Sequence, residues 1–116
     1  MTDKTLFEKI INGDTCADIV YEDEQCIAIK DIAPQAPTHL LIIPKKPIPM
    51  LANAAPVDES LLGHLLLVAC DIAKEAGISE AFRIVINNGA EAGQTVFHLH
   101  LHLLGNKKFL ESNLSF

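Results

Sequence analysis

The hydrophobic and polar positions of the chain alternate most regularly in FHLHLHLLG, the stretch from Phe97 to Gly105. Successive side chains of a strand point to opposite faces, so a strand over residues 96–104 would present three histidines on one face. Phe97 and the leucines between the histidines would lie on the other face. This spacing is typical of a half-buried strand and contradicts a helix. We therefore predict a strand here that carries a row of imidazoles.

Four further segments have the pattern of short strands, and the sequence before them has that of a short helix. Thr5 and Glu8 form a capping box, which starts a helix that Gly13 can end in a left-handed conformation. The polar residues 22–25 separate two apolar runs and predict a hairpin. The predicted strands are Ile19–Tyr21, Cys26–Ile29, Leu40–Ile43 and Phe82–Ile86.

A long helix is predicted from about Asp58 to Ala76, with Asp58 as its N-cap and Gly77 just past its end. The consecutive apolar residues 65–70 cover every face of that part of the helix, at about 3.6 residues per turn. One small sheet can cover only one of those faces. We therefore predict a homodimer with this helix near the interface; alternatively, the chain's own loops cover the helix. The fold class that follows is α+β, with mostly antiparallel strands and one long helix across them.

Composition and charge narrow the class of protein. The 116 residues suit one domain spanning positions 1–116, and the formal net charge of −6 argues against general nucleic-acid binding. Three cysteines without a C-x-x-C pair predict reduced thiols. Charges near the N-terminus argue against a signal peptide, and the longest apolar run, 65–70, is too short for a bilayer. We expect a cytoplasmic protein with neither a nucleic-acid nor a membrane partner.

The histidine row has two chemical interpretations. Two histidines and a carboxylate could bind zinc, but the outer Cα atoms of the row would lie about 13 Å apart and the sequence shows no obvious third ligand. A neutral imidazole is also a good nucleophile toward phosphorus near pH 7. His100 would then attack, while His98 and His102 would hold its tautomer, contact phosphate oxygens or protonate a leaving group. Clustered imidazoles discourage one another from charging, which favours the catalytic interpretation.

Residues outside the row fit the same chemistry. A polar loop precedes it, whose glycines allow close approach and whose amides and hydroxyl can hold phosphate oxygens; its members are Asn87, Gly89, Gly93, Gln94 and Thr95. Asp31 could accept from two ribose hydroxyls, or it could simply cap a loop. His39 could orient a catalytic imidazole, or it could be a hydrogen-bonded core residue. His64 is interpreted as structural.

Two motifs together resemble a known family. His98–Leu104 resembles the H-φ-H-φ-H-φ-φ signature of the histidine-triad (HIT) superfamily, and Asp31–Lys46 resembles its Hint branch. The similarity runs from Thr5 to Gly105. The resemblance implies a five-stranded, mostly antiparallel sheet with one long helix and a short N-terminal helix. It also implies a homodimer whose sheet continues across the interface, and chemistry that needs no cofactor or metal.

The resemblance implies a purine nucleoside phosphoramidase, which cleaves adenosine or guanosine 5′-phosphoramidates to the nucleoside monophosphate and an amine. His100 would be the nucleophile that becomes nucleotidylated, and His102 would contact the phosphate and assist the leaving group. His98 and His39 would support the nucleophile through hydrogen bonds. Asp31 would bind the ribose; the base pocket would contain Ile32, Phe7 and Ile29, and the phosphate site Asn87, Gly93 and Thr95.

The sequence departs from the family pattern in places that bear on the substrate. Thr95 stands where Ser is common, Cys16 replaces a proline near the base pocket, and Asn106 replaces a glycine. Residues 107–116 lack the Trp-Pro-Pro ending of animal Hint proteins, so the natural amine stays open. Two other functions also stay open: a nucleotide-binding or protein-interaction module with incidental hydrolysis, and a dinucleotide hydrolase or transferase of another HIT branch.

Overall fold

In the computed structural model, which describes residues 4–113, five strands form one sheet in the order β1-β2-β3-β5-β4. Every neighbouring pair is antiparallel. The strands are β1 (Ile19–Glu22), β2 (Cys26–Lys30), β3 (Thr38–Pro44), β4 (Phe82–Val85) and β5 (Leu101–Gly105); the helices are α1 (Leu6–Ile11) and α2 (Glu59–Glu75). The predicted α+β architecture is confirmed.

Local sequence signals set the ends of α1 and the first turn. The Thr5 hydroxyl accepts from the Glu8 amide, and the Glu8 carboxylate accepts from the Thr5 amide, which is the predicted capping box. Gly13 follows the helix with a φ of +81°. In the predicted hairpin, Oδ1 of Asp23 accepts from the amides of Gln25 and Cys26, so one carboxylate closes the turn.

The two faces of the sheet pack against different elements. Residues opposite each other in an antiparallel pair share a face, so the register assigns each side chain to one of them. One face packs under α2; its core contains Ala28, Leu40, Ile42, Leu65, Ala69, Leu101 and Leu103. The other face packs against α1; its core contains Phe7, Ile10, Ile27, Ile29, Leu41 and Ile43. His102 lies opposite Leu41, so it belongs to the second face, which we call the histidine face.

The long helix starts and ends where predicted, but its first cap differs. Asp58 occupies the N-cap position without a side-chain cap bond to α2. Its carboxylate instead accepts from the Ala55 amide and pairs with Lys46, because a short 3-10 turn, Pro56–Asp58, precedes the helix. Beyond the other end, Gly77 has a φ of +75°. Within residues 4–113 no helix is both long and apolar enough to cross a membrane.

One apolar side of α2 stays uncovered. Leu66 is 47% exposed and Leu67 is 67% exposed, although Leu65, Val68 and Ala69 are buried against the sheet. The alternative in which the chain's own loops cover the helix on all sides is therefore wrong for these two leucines, as far as residues 4–113 are concerned. The homodimer stays a prediction.

The predicted strand over residues 96–104 is wrong in its first half, because β5 begins only at Leu101. The last pair of the β3–β5 ladder is Ile42 with Leu101. Beyond it, the Pro44 carbonyl accepts from the His98 imidazole instead of a strand amide. Residues 96–98 bend, and Phe97 is 43% exposed rather than packed with the leucines.

Candidate active site

A cleft of about 610 Å³ opens on the histidine face beside α1. Seven of the predicted site residues line it: Phe7, Ile29, Asp31, Ile32, Thr95, His100 and His102. Sequence reasoning did not find several other lining residues, including Ile10, Asp18, Lys30, Leu41 and Val96. They carry no chemical signature of their own, and only the packing of α1 onto the sheet brings them to the cleft.

The contacts of His100 determine where its proton lies. Nδ1 of His100 is 2.8 Å from the main-chain carbonyl of His98. A carbonyl can only accept, so Nδ1 carries the proton and Nε2 of the neutral ring carries a lone pair. The Phe7 ring meets the imidazole edge-on at a centroid distance of 4.9 Å. Burial lowers the pKa of His100 by more than the hydrogen bond to the His98 carbonyl raises it, so the ring is neutral at pH 7.

A chain of hydrogen bonds determines the tautomer of His102. The main-chain N–H of Gln35 donates to Nδ1 of His39 at 3.0 Å, which leaves the proton of neutral His39 on Nε2. That Nε2 lies 2.9 Å from Nδ1 of His102. Nδ1 of His102 is therefore the acceptor, and the proton of His102 lies on Nε2. The sequence contained no signal for the role of the Gln35 amide, because it is a main-chain group.

Burial and mutual proximity keep the imidazoles neutral. The pKa of His102 falls to about 4 through burial first and then through the neighbouring rings of His100 and His39. Burial also lowers the pKa of His39, against the opposing effect of Asp31. The ring centroids of His100 and His102 are 5.1 Å apart. A lone pair on one ring and an N–H on the next thus lie side by side in the cleft.

His98 lies beneath the cleft and does not line it. Its ring is 1% exposed, and Nε2 donates to the Pro44 carbonyl at 2.6 Å. Nδ1 is buried without a hydrogen-bond partner among the described residues. The resemblance implies that His98 and His39 both support the nucleophile, His100, through hydrogen bonds. The structure joins His98 to His100 through its main-chain carbonyl, and it joins the His39 ring to His102.

Asp31 lies at the end of β2, between the turn and the histidines. Its Oδ1 accepts from the Ala33 amide at 2.8 Å, which is the loop-capping contact considered from the sequence. Its Oδ2 lies 3.4 Å from Nε2 of His39. The carboxylate thus caps the loop and also borders the cleft, so the two interpretations are compatible.

The remaining predicted binding residues divide into two groups. Phe7 and Ile29 are buried in the cleft wall, whereas Ile32 is 97% exposed at its rim. Asn87 and Gly93 lie next to each other, since a Cβ added to Gly93 would be 3.7 Å from Nδ2 of Asn87. These two residues are not among those that line the cleft, although Thr95 is.

Gln94 has a different role from the one considered for it. Its side-chain amide donates to the carbonyls of Pro49 and Val96, and its Oε1 accepts from the Gly89 amide. Both side-chain donors are engaged within the fold, so the hypothesis that Gln94 holds phosphate oxygens is wrong. It stabilises the loop that precedes the histidines.

Two groups of side chains have the donor set and spacing of a metal site. The ligand atoms of Asp31, His39 and His102 all lie within 4.8 Å of one another, and so do those of a second group, Asp23, Cys26 and His64. The sequence shows no obvious third ligand for two histidines of the row, and neither group contains two of them, so that statement stays a prediction.

Comparison with known proteins agrees with the geometry. Residues 12–109 match the family model of the HIT domain. The chain is 60% identical over 109 residues to an uncharacterised HIT-like protein of Synechocystis sp., covering 94% of this chain and 96% of that protein. It is 50% identical over 103 residues to a HIT-like protein of Chlamydia pneumoniae, covering 89% and 94%.

Solved structures superpose over almost the whole chain. A HIT family hydrolase from Legionella pneumophila Philadelphia 1 has a TM-score of 0.92 and 44% identity, covering 94% of this chain and 98% of its own. A histidine triad protein from Clostridium difficile has a TM-score of 0.90 and 36% identity, covering 97% and 100%. The chain belongs to the HIT domain family.

Proposed function

We propose that the protein is a hydrolase of the Hint type, which converts purine nucleoside 5′-phosphoramidates to nucleoside monophosphate and amine. The observation that carries the proposal is the pair of tautomers. Because Nδ1 of His100 is engaged by the His98 carbonyl, its Nε2 is an unprotonated nitrogen beside the N–H of His102. This is the combination that nucleophilic attack at phosphorus requires.

In the first step, Nε2 of His100 attacks the phosphorus and the bond to the amine nitrogen breaks. The nitrogen leaves with the bonding electron pair and takes the proton from Nε2 of His102, which becomes an imidazolate while its Nδ1 still accepts from the N–H of His39. Nucleotidylated His100 carries a positive charge, which favours loss of that proton from a ring whose centroid is 5.1 Å away. The His39–His102 hydrogen bond holds the donor in position.

In the second step, a water molecule attacks the phosphorus and the bond to His100 breaks. The water gives one proton to Nε2 of His102 and its oxygen to the phosphate, so both imidazoles return to their starting tautomers. The nucleoside monophosphate and the amine leave the cleft. No metal takes part in either step.

The cleft supports a purine nucleotide as the substrate. Phe7 and Ile29 offer an apolar surface for a base, with Ile32 exposed at the rim. Asp31 would accept from the ribose hydroxyls. The phosphate would be bound by the hydroxyl of Thr95 and the side-chain amide of Asn87. Gly93, whose own N–H donates to the Ala90 carbonyl, would allow the phosphate to approach the loop closely.

The test is release of AMP from adenosine 5′-phosphoramidate by EDTA-treated protein, compared with the His100→Ala variant. Treatment with a chelator removes any contribution from the two metal-capable groups. We expect release by the native protein and a loss of at least about 1,000-fold in the variant, which should still bind AMP. Absence of release from folded native protein would favour the binding-module function. Faster turnover of diadenosine polyphosphates would favour another HIT branch.

We also propose a homodimer that covers the exposed side of α2 and extends the sheet from the edge strand β4. The support is the exposure of Leu66 and Leu67 on a helix otherwise packed on the sheet. Leu67→Asp should yield monomers in sedimentation equilibrium, because a charge in an apolar interface is costly. The matched control is Val20→Asp, a 41% exposed residue on the opposite edge strand, which should leave the dimer intact. A native monomer would contradict the proposal.

A further inference from the structure

The turn between β1 and β2 places two side chains that can bind a metal ion three residues apart. Asp23 directly follows β1, and Cys26 begins β2. The main-chain N–H of Asp23 donates to the Cys26 carbonyl at 3.0 Å, and Oδ1 of Asp23 accepts from the Cys26 amide at 2.8 Å. Two ligands at this spacing on a closed turn can chelate one ion, as paired cysteines do in structural zinc sites.

A third ligand comes from α2. Nε2 of His64, a residue 41 positions after Asp23, lies 2.6 Å from Oδ2 of that carboxylate. The ligand atoms of Asp23, Cys26 and His64, which we call the Asp–Cys–His group, all lie within 4.8 Å of one another. A tetrahedral zinc ion holds nitrogen, oxygen and sulfur ligands about 3.3–3.6 Å apart. Relative shifts of no more than about 1.5 Å would therefore accommodate the ion.

The burial of the three side chains gives an ion a path to them. The side chains of His64 and Asp23 are 31% and 24% exposed, whereas Cys26 is fully buried. An ion can thus enter from solvent between the imidazole and the carboxylate and meet the sulfur beneath them. Three protein ligands leave the fourth tetrahedral position to water.

The charges of the group match a divalent ion. Burial raises the pKa of Cys26 to about 12, so the thiol is protonated until a metal displaces its proton to solvent. His64 then takes its other neutral tautomer, with the proton on Nδ1 and the lone pair of Nε2 on the ion. The thiolate and the Asp23 carboxylate together carry two negative charges, which neutralise a divalent cation at the edge of the core.

From this arrangement we propose that the Asp–Cys–His group is a binding site for a divalent transition-metal ion, which stabilises the junction between the hairpin and α2. Sulfur and nitrogen ligands favour zinc over calcium or magnesium, which prefer oxygen. The Tyr21 hydroxyl donates to Oδ2 of Asp23 at 2.8 Å and would orient the ligating carboxylate. No member of the group lines the nucleotide cleft, so the site is separate from the proposed catalysis.

The test is titration of the reduced, chelator-treated protein with Co²⁺, followed by competition with Zn²⁺. A thiolate bound to Co²⁺ gives a near-ultraviolet charge-transfer band, which nitrogen and oxygen ligands do not give. The other metal-capable group, Asp31, His39 and His102, contains no cysteine and cannot produce this band. The measurement needs no turnover, so it is independent of the phosphoramidase assay.

We expect the native protein to show the thiolate band, to saturate it with a single equivalent of Co²⁺ and to lose it when Zn²⁺ is added. Cys26→Ser should abolish the band. His64→Gln keeps a hydrogen-bond donor but loses the imidazole, and it should raise the Kd for zinc at least about 100-fold, whereas Tyr21→Phe should raise it about tenfold. The matched controls Cys16→Ser and Cys70→Ser should behave like the native protein.

The stabilising effect has its own readout, hydrogen–deuterium exchange at residues 22–26. Bound Zn²⁺ should slow this exchange at least about tenfold in the native protein and leave it unchanged in His64→Gln. Slower exchange in the native protein alone would connect the ion to the turn rather than to the cleft. Zinc binding without slower exchange would show that the ion does not stabilise the junction.

Three results would overturn the metal site itself. One is a native protein without a thiolate band in excess Co²⁺, and another is a band that survives Cys26→Ser but disappears in Cys16→Ser, which would place the ion in the nucleotide cleft. The third is an unchanged zinc Kd in His64→Gln. This last variant changes a partly exposed position, so it decides the question even if Cys26→Ser fails to fold.

Discussion

Two clusters in this molecule contain the same pair of side chains, an aspartate and a histidine, and use them differently. The cleft cluster consists of Asp31, His39 and His102. The hairpin cluster consists of Tyr21, Asp23 and His64, at the junction between the β1–β2 turn and α2. Each cluster joins residues that are distant in sequence. The cleft cluster is itself one of the two metal-capable groups, and the hairpin cluster shares Asp23 and His64 with the other.

In the hairpin cluster the carboxylate of Asp23 accepts all of the hydrogen bonds. Asp23 accepts from the Tyr21 hydroxyl at 2.8 Å and from Nε2 of His64 at 2.6 Å, in addition to the two amides of its own turn. Burial raises the pKa of Asp23, but these hydrogen bonds outweigh it and hold the pKa below its usual range. The hydrogen bond to Asp23 raises the pKa of Tyr21 to about 12. The carboxylate is saturated, so the cluster ties the hairpin to the helix.

In the cleft cluster the hydrogen bonds form a chain instead. The main-chain N–H of Gln35 donates to Nδ1 of His39, and Nε2–H of His39 donates to Nδ1 of His102. The chain ends on a ring that lines the cleft. The difference teaches that an Asp–His pair serves chemistry when its hydrogen bonds lead to a proton at an accessible site, and serves stability when they all converge on one acceptor.

The largest expected difference between the clusters concerns loss of the histidine. His39→Phe removes the donor to His102 while keeping volume, so kcat should fall about 10- to 100-fold. His64→Phe should change kcat by less than about threefold per folded molecule. Single-turnover AMP release measures both, and His39→Gln, whose amide can donate, should recover part of the loss. Equal losses of kcat in His39→Phe and His64→Phe would contradict the different roles given to the two clusters.

A smaller effect is expected from pH, because only the cleft cluster contains imidazoles that must be neutral. The pKa of His100 lies below the ordinary value of 6.5, and that of His102 lies at about 4. Activity should therefore be level from pH 8 to 6.5 and should fall only as the pH drops below that range. An unshifted imidazole would lose about tenfold at pH 5.5, so kcat/KM should fall by less than tenfold there. A midpoint at or above pH 6.5 in the kcat/KM profile would refute this.

The smallest effect on activity is expected from the hairpin cluster's own carboxylate. Asp23→Asn replaces one of the two carboxylate oxygens by an NH₂ group, so two of the four donors lose their acceptor and the free energy of unfolding should fall by about 1–3 kcal/mol. The kcat for AMP release should stay within about twofold. Urea denaturation measures the first quantity. A large fall in kcat with an unchanged free energy of unfolding would mean that the hairpin cluster influences the catalytic residues, which would contradict its structural role.

Much of the fold was predictable because its signals are local. The capping box at Thr5, the hairpin closed by Asp23 and the glycine after α2 each depend on neighbours within a few residues. The strands follow from short apolar runs, as in β3, and from short-range alternation, as in β5. The prediction of a strand over residues 96–100 was wrong because a strand continues only where a neighbouring strand can pair with it. The neighbour of β5 on this side is β3, which ends at Pro44.

Sequence analysis named seven of the residues that line the cleft, but it did not predict their hydrogen bonds. The spacing of the three histidines identified the residues, since no ordinary solvated strand needs imidazoles on one face. Which ring carries the lone pair, and which the proton, depends on the His98 carbonyl and the Gln35 amide, which have no side-chain signature. Similarly, the local sequence gave no sign that the guanidinium of Arg83, a residue of β4, donates to the main-chain carbonyl of Leu110.

The sequence by itself determined the elements and the chemistry that the chain can offer, because periodicity and residue type act over a few positions. Only the tertiary structure decided that Asp31 and His39 meet His102, and that four donors converge on Asp23. The first outcome depends on the pairing of β3 with β5, and the second depends on the packing of α2 beside the turn between β1 and β2. Protons are placed by whichever donor or acceptor lies nearest in space, and that distance is set by the fold.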